Sequence, residues 1–153
     1  MKTLELRIPP AAVFVVAALL MGLAAWALPA WRFIVPGRAV LVIAVALVGG
    51  IIGVAGVRAF RRAQTTVHPM NPSTATSLVT TGIYTRSRNP MYLALLIALL
   101  AWGLFLGHPV SLLLIPGFVG YMNRFQIIPE ERALETIFGA DFRAYREQVR
   151  RWL

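Results

Sequence analysis

Two short stretches hold most of the side chains able to do chemistry. The first runs Thr80-Thr81-Gly82-Ile83-Tyr84-Thr85-Arg86-Ser87-Arg88-Asn89-Pro90-Met91-Tyr92. The second runs Tyr121-Met122-Asn123-Arg124-Phe125-Gln126-Ile127-Ile128-Pro129-Glu130-Glu131-Arg132. Pro90 suits the opening turn of a helix, where its missing N–H costs nothing. Such a start leaves free N–H groups and a partial positive end that draws an anion, and Arg88 adds a fixed charge beside it. In the second stretch a carboxylate pair follows a proline. At α-helical spacing Glu130 lies two turns after Asn123, and Glu131 two turns after Arg124, so each pair is expected to share a face. These residues together predict a small-ligand site. Tyr84, Arg86 and Tyr121 are equally well explained as anchors at a membrane edge.

The elements that must position these stretches are apolar helices. Residues 10–28, 39–57 and 91–123 contain no Asp, Glu, Lys or Arg. A bilayer core about 30 Å thick is crossed by roughly 20 apolar helical residues. The first two runs each fit one crossing. The third is too long for one and slightly short for two, and Gly107-His108-Pro109 near its middle marks a turn. The expectation is a helical hairpin whose second arm continues past Arg124 toward Ile128, bringing both polar stretches to one side. Of 153 residues 58% are hydrophobic and 14% charged, where a soluble domain carries about a quarter charged. The predicted fold is an all-α, polytopic membrane helical bundle of about four transmembrane helices. Residues 1–57 form a two-helix unit, 58–90 a cytoplasmic connection, 91–128 the hairpin and 129–153 a cytoplasmic tail. A cleaved signal peptide is the alternative for residues 1–28, but the run is as long as a span and ends in Leu28-Pro29-Ala30-Trp31, with Trp suited to the interface.

The formal net charge of +9 follows topology. Segment 58–90 carries Arg58, Arg61, Arg62, Arg86 and Arg88 with no acid, while the turn near 108 carries no basic Lys or Arg. The positive-inside rule makes that segment and the tail cytoplasmic; four spans put the N-terminus there too, with Lys2 and Arg7 in agreement. No groove-reading motif accompanies the charge, so nucleic acid is not an expected partner. There is no cysteine, which excludes disulfides, thiolate metal sites and cysteine nucleophiles. His68 and His108 are isolated in sequence, and no metal is expected. Gly49, Gly53 and Gly56 line one helix; ordinary close packing is the favoured explanation, with a homodimer compatible. In the tail Phe142, Tyr145, Val149 and Trp152 recur at helical spacing beside Arg143, Arg146 and Arg150. That pattern predicts an amphipathic helix at the cytoplasmic interface or docked on the bundle, preceded by a helix end at Gly139.

The run Thr81-Gly82-Ile83-Tyr84 with Arg88-Asn89-Pro90-Met91-Tyr92 resembles the Gly-x-Tyr and Arg-His-Pro-x-Tyr-x-Gly signature of isoprenylcysteine carboxyl methyltransferases. The tail Glu130-Glu131-Arg132, Leu134, Phe138-Gly139, Tyr145, Val149, Trp152 resembles the closing segment of the same enzymes, and phospholipid N-methyltransferases are similar. The resemblance covers residues 77–153. It implies an integral membrane methyltransferase using S-adenosylmethionine, with the cofactor between the last helices and the C-terminal segment and a lateral path for a lipid-like or prenylated acceptor. By matching position, Tyr84, Arg88, Asn89, Pro90 and Tyr92 shape one wall, and Glu130 and Glu131 hold the cofactor's ammonium or ribose hydroxyls. Asn89 stands where the pattern has His, and Ala94 where it has Gly.

Holding nucleophile and methyl group together supplies most of such catalysis. A carboxylate acceptor needs only a cation such as Arg88 or Arg124 to position it, and this O-methylation is favoured. An amine acceptor must lose a proton, which Glu130 can take. Asn89 cannot titrate near neutral pH. No Gly-x-Gly-x-x-Gly turn is present, so a Rossmann route to the cofactor is absent. The alternatives are a relative of sterol-type membrane reductases binding NADPH, and a small transporter or structural membrane protein.

Overall fold

The computed structural model describes residues 4–63 and 75–153; Lys2, His68 and the middle of the 58–90 connection lie outside them. Five helices make up the described chain: α1 (Pro10–Ala27), α2 (Arg38–Arg62), α3 (Pro90–Leu106), α4 (Pro109–Tyr121) and α5 (Ile128–Gln148). Proline stands in the first turn of α1, α3 and α4, where it has no intrahelical hydrogen bond to lose. Pro129 of α5 follows a turn that is already helical, and the Phe125 carbonyl four residues before it accepts the Leu6 amide at 3.0 Å. Gly107 ends α3 in the left-handed conformation, at φ 59°. His108 and Pro109 then start α4, so the hairpin forms where the turn residues place it.

α2 packs along α3, and α1 lies against α3 and α4. Glycine sets the first approach: a Cβ at Gly49 would sit 3.1 Å from Ile97 Cγ2, and one at Gly53 3.3 Å from Ala94 Cβ. Helix packing within the chain therefore engages these glycines, and they carry no argument for a homodimer. Met21, Leu99, Met122 and Ile127 form the centre of the core. Much of the outward surface is apolar as well, with Val40, Leu47, Ile51 and Leu113 exposed. Contiguous apolar exposure of this kind marks a membrane or partner surface. α1 and α2 are each long and apolar enough to cross a membrane. α2 also runs beyond its apolar stretch to Arg62, so Arg58, Arg61 and Arg62 sit on a helix and not in a loop. Arg61 and Arg62 occupy its last turn, where cations favour the helix dipole.

Between α4 and α5 the chain stays helical but winds wider, as a π-helical turn over Met122–Ile127. Wider winding rotates everything beyond it relative to an α-helix. The expected face-sharing of Asn123 with Glu130 and of Arg124 with Glu131 therefore fails. Asn123 Oδ1 accepts from Trp152 Nε1 at 3.0 Å, and Arg124 turns outward to Glu5 at 2.8 Å.

The amphipathic tail forms and is docked on the bundle. Gly139 breaks α5 at φ 51°, ψ −115°, the kink expected from its type. Beyond it Phe142 and Tyr145 turn inward and pack with Val149, Leu78, Leu134 and Phe138. Trp152 departs from the expected stripe. Val149 is already extended, at φ −123° and ψ 132°, so Trp152 lies past the helix and packs against the main core instead.

Candidate functional site

A cavity of about 490 Å³ opens where the turn Gly82–Thr85, the start of α3 and the start of α5 converge, within the roughly 300–1,000 Å³ usual for small-molecule sites. Its polar end carries Arg88, Asn89, Glu130 and Glu131; aromatic walls come from Phe60, Tyr84, Tyr92, Phe142 and Tyr145. An apolar lobe reaches between α1, α2 and α3, lined by Pro10, Gly53, Val57, Ala94 and Leu95. The methyl of Ala94, where the signature has Gly, lies on this lobe.

Of the residues singled out from the sequence, Tyr84, Arg88, Asn89, Tyr92, Glu130 and Glu131 meet around this one space. Pro90 is fully buried behind it. Arg124 is not there: its side chain is 45% exposed and held by Glu5, which also receives Arg132. It cannot position a nucleophile in the cavity from that place. The two guanidinium groups, Arg124 foremost, hold the Glu5 carboxyl below its usual range.

The neighbouring carboxylates have opposite surroundings. Glu131 Oε1 accepts from Arg88 Nη2 at 2.7 Å and Arg151 Nε at 3.1 Å, and Oε2 from Arg151 Nη2 at 2.7 Å. Burial alone would raise its pKa, but the two arginines, Arg151 foremost, outweigh it and hold the carboxyl below its usual range. Among the described residues Glu130 has no cation beside it. Its Oε1 accepts from the Tyr92 hydroxyl and the Gln126 amide, each at 2.5 Å. Burial dominates there and pushes its pKa up to about 7, against the lowering effect of those two bonds. Glu130 Oε2 and Asn89 Oδ1 have no protein partner among the described residues.

Arg88 is turned into the protein. Besides Glu131, its Nη1 donates to the Arg146 carbonyl at 3.1 Å and to the Val149 carbonyl. The anion site expected from Arg88 beside the helix start is thereby turned away, because a carboxylate and two carbonyls at the end of α5 occupy both Nη atoms, while Nε is buried without a partner among the described residues. Tyr145 donates to the Tyr84 carbonyl at 2.7 Å, and Phe60 meets the Tyr84 ring edge-on at 5.3 Å between centroids. Burial pushes the Tyr145 phenol up to about 12 and raises that of Tyr84, so both stay neutral.

Four residues of the site were not singled out as site residues: Phe60 and Tyr145, which line the cavity, and Gln126 and Arg151, which bond its carboxylates. Gln126 stands four residues before Glu130, a spacing at which helical side chains meet. Tyr145 was on the apolar stripe. Phe60 and Arg151 carry no local signal, since one lies in an apolar-and-basic helix end and the other in a run of arginines.

The family model for phospholipid methyltransferases matches residues 37–141. An uncharacterized protein of Haemophilus influenzae is 49% identical over 63 residues, which are 41% of this chain and 100% of that protein. No solved structure matches. The family match takes in α2, α3, α4, the π turn and the carboxylate pair of α5, and thus every polar residue at the cavity's charged end. By that match the chain belongs to the phospholipid methyltransferase family and is a membrane methyltransferase.

Proposed function

We propose that the chain uses S-adenosylmethionine to methylate a lipophilic acceptor, with an amine as the acceptor group. The observation that carries this reading is Glu130: a carboxylate on the cavity that accepts from Tyr92 and Gln126 at one and the same oxygen, with no cation beside it among the described residues. A cofactor bearing an ammonium, a sulfonium and ribose hydroxyls fits that donor set. Glu130 and Asn89 Oδ1 offer acceptors, and aromatic faces attract onium cations. Glu130, Asn89 and Tyr84 hold it, and when bound it supplies an electrophilic methyl group.

The engagement of Arg88 supports the choice of an amine. Its Nη atoms are engaged by Glu131 and two carbonyls, so among the described residues of the cavity an anionic acceptor would meet Glu130 before any unengaged cation. An amine instead gains a carboxylate able to take its proton, at a group whose pKa of about 7 suits exchange near neutrality. Carboxylate O-methylation, including that of a prenylcysteine, therefore stands second. The apolar lobe between α1, α2 and α3 accommodates the hydrocarbon portion of the acceptor.

The same reading has α1, α2, α3 and α4 with its π turn crossing the bilayer. Both termini and the arginines of α2's end and of α5 then face the cytoplasm, as the positive-inside rule favours. The deciding experiment is a thermal-shift titration of detergent-solubilised protein with S-adenosylhomocysteine, since a ligand of the folded state raises the midpoint by mass action. A midpoint unmoved by S-adenosylhomocysteine but raised by NADPH would replace the reading with a reductase.

A further inference from the structure

We infer that Arg151 is a positioning residue of this site: by holding both oxygens of Glu131 it leaves Glu130 as the carboxylate that meets the ligand, and through its carbonyl it orients Asn89. The inference rests on the cofactor reading above and extends it to a residue that does not itself line the cavity.

Glu130 and Glu131 are adjacent and both border the cavity, so without a device to separate them each would compete for a bound cation. The Arg151 fork supplies that device. Its Nε and Nη2 reach different oxygens of Glu131, at 3.1 and 2.7 Å, the bidentate geometry that a guanidinium offers and an ammonium cannot. Arg88 completes the cage from the other side at 2.7 Å. Glu131 is thereby held between two cations, while among the described residues Glu130 faces the neutral donors Tyr92 and Gln126. Among the described residues the carboxylate left without an adjacent cation is Glu130.

The backbone of the same residue does a second task. The Arg151 carbonyl accepts from Asn89 Nδ2 at 3.0 Å and from Ser87 Oγ at 3.4 Å. With Nδ2 engaged, the end of Asn89 left for a ligand is its acceptor oxygen. Flanking bonds keep the strap in register: the Arg88 amide donates to the Arg150 carbonyl at 3.0 Å, and Trp152 Nε1 to Asn123 Oδ1 at 3.0 Å. Residues 150–152 thus tie the loop before α3 to the start of α5 and to the π turn.

The test uses the full chain in detergent with Arg151→Gln, Arg151→Lys, Glu131→Gln and the double variant Arg151→Gln/Glu131→Gln. Calorimetric affinity for S-adenosylhomocysteine is expected to fall by roughly tenfold or more in Arg151→Gln, because the caged carboxylate loses its main partner. Arg151→Lys should recover only part of it. If Arg151 acts through Glu131, the two substitutions are non-additive in the double variant. A second readout needs no ligand. The thermal midpoint against pH follows Glu130, which faces Tyr92, Gln126 and Glu131; Arg151→Gln should move that transition upward, because the Glu131 charge is less compensated. Wild-type affinity and an unmoved transition in Arg151→Gln would overturn the inference, as would strict additivity. A lowered midpoint with neither change would show a purely structural strap, and overturn it too. Should the wild type not bind S-adenosylhomocysteine, the cofactor reading falls alone, and the ligand-free transition still decides Arg151.

Discussion

The Tyr92 hydroxyl and the Glu130 carboxylate meet between α3 and α5, with the phenol donating to Oε1 at 2.5 Å. The Gln126 amide reaches the same oxygen, so among the described residues both bonds fall on one side of the carboxylate, with Oε2 on the side proposed for a ligand. Neither donor carries charge. The bonds orient Glu130 without neutralising it, and orientation with residual charge is what a cation-binding or proton-accepting group requires.

Glu130 should give the protein two opposite pH dependences. Its pKa is raised by burial from 4.5 to about 7, so the folded apo protein binds the proton more tightly than the unfolded chain. Stability from this source is full below about pH 4.5 and is lost as pH rises through 7, a change on the order of 3 kcal/mol. A ligand ammonium binds the ionised form, so affinity for S-adenosylhomocysteine, which carries an ammonium though no sulfonium, should instead rise through the same window. Thermal midpoints and calorimetric titrations from pH 5 to 8 check both slopes, and Glu130→Gln should flatten each. Equal slopes in wild type and variant would show that another group titrates.

Arg88→Lys should be costly although it keeps the charge. The guanidinium serves Glu131 and the carbonyls of Arg146 and Val149 at once, with a side chain 10% exposed. An ammonium cannot reproduce that planar fork. Destabilisation of about 1–3 kcal/mol is expected from the hydrogen bonds left unmade, together with a loss of methyl transfer. Were Arg88 a membrane-edge anchor, Lys would replace it silently because both side chains snorkel. A wild-type denaturation midpoint and rate would favour the anchor.

Much of this architecture was legible locally. Pro90, Gly107, Pro109 and Gly139 each act through their own backbone, so their effect can be read without knowing what surrounds them. The convergence of Tyr84, Asn89 and Tyr92 with Glu130 and Glu131 followed once the hairpin was recognised. What could not be read depended on winding or on distant partners. The π turn at Met122–Ile127 has no residue type that demands it, yet it sent Arg124 to Glu5 and Asn123 to Trp152. The choice of Arg151 over Arg150 for Glu131 is made by where the strap crosses α5, a tertiary fact with no local signature.

Gly107→Ala should destabilise the hairpin end. At φ 59° a Cβ would stand 2.8 Å from the Phe33 carbonyl oxygen and 2.7 Å from Arg38 Nη1, and the Gly107 carbonyl accepts the Phe33 amide at 2.8 Å. Left-handed backbone costs a non-glycine residue about 1–3 kcal/mol, and the crowded carbonyl adds to it. A lower thermal midpoint with unchanged S-adenosylhomocysteine affinity is expected, since the turn is at the opposite end of α3 from the cavity. An unchanged midpoint would mean that the α1–α2 connection yields freely.

The orientation in the membrane is open to direct labelling, because the chain has no native cysteine. Ile34, between α1 and α2, is 92% exposed, and the Arg143 side chain on α5 is 54% exposed. The two lie at opposite ends of the bundle: Ile34 is beside the α3–α4 turn through the Phe33–Gly107 bond, Arg143 beyond the cavity end. Arginines concentrate at the second end, in Arg58, Arg61 and Arg62 of α2 and in α5; few stand at the first. The positive-inside bias therefore predicts that the cavity end faces the cytoplasm. In intact cells an impermeant maleimide should label Ile34→Cys and spare Arg143→Cys until the membrane is opened. The reverse pattern would place the cavity outside, away from the cytoplasmic supply of cofactor, and would overturn the topology and the methyl-transfer reading together.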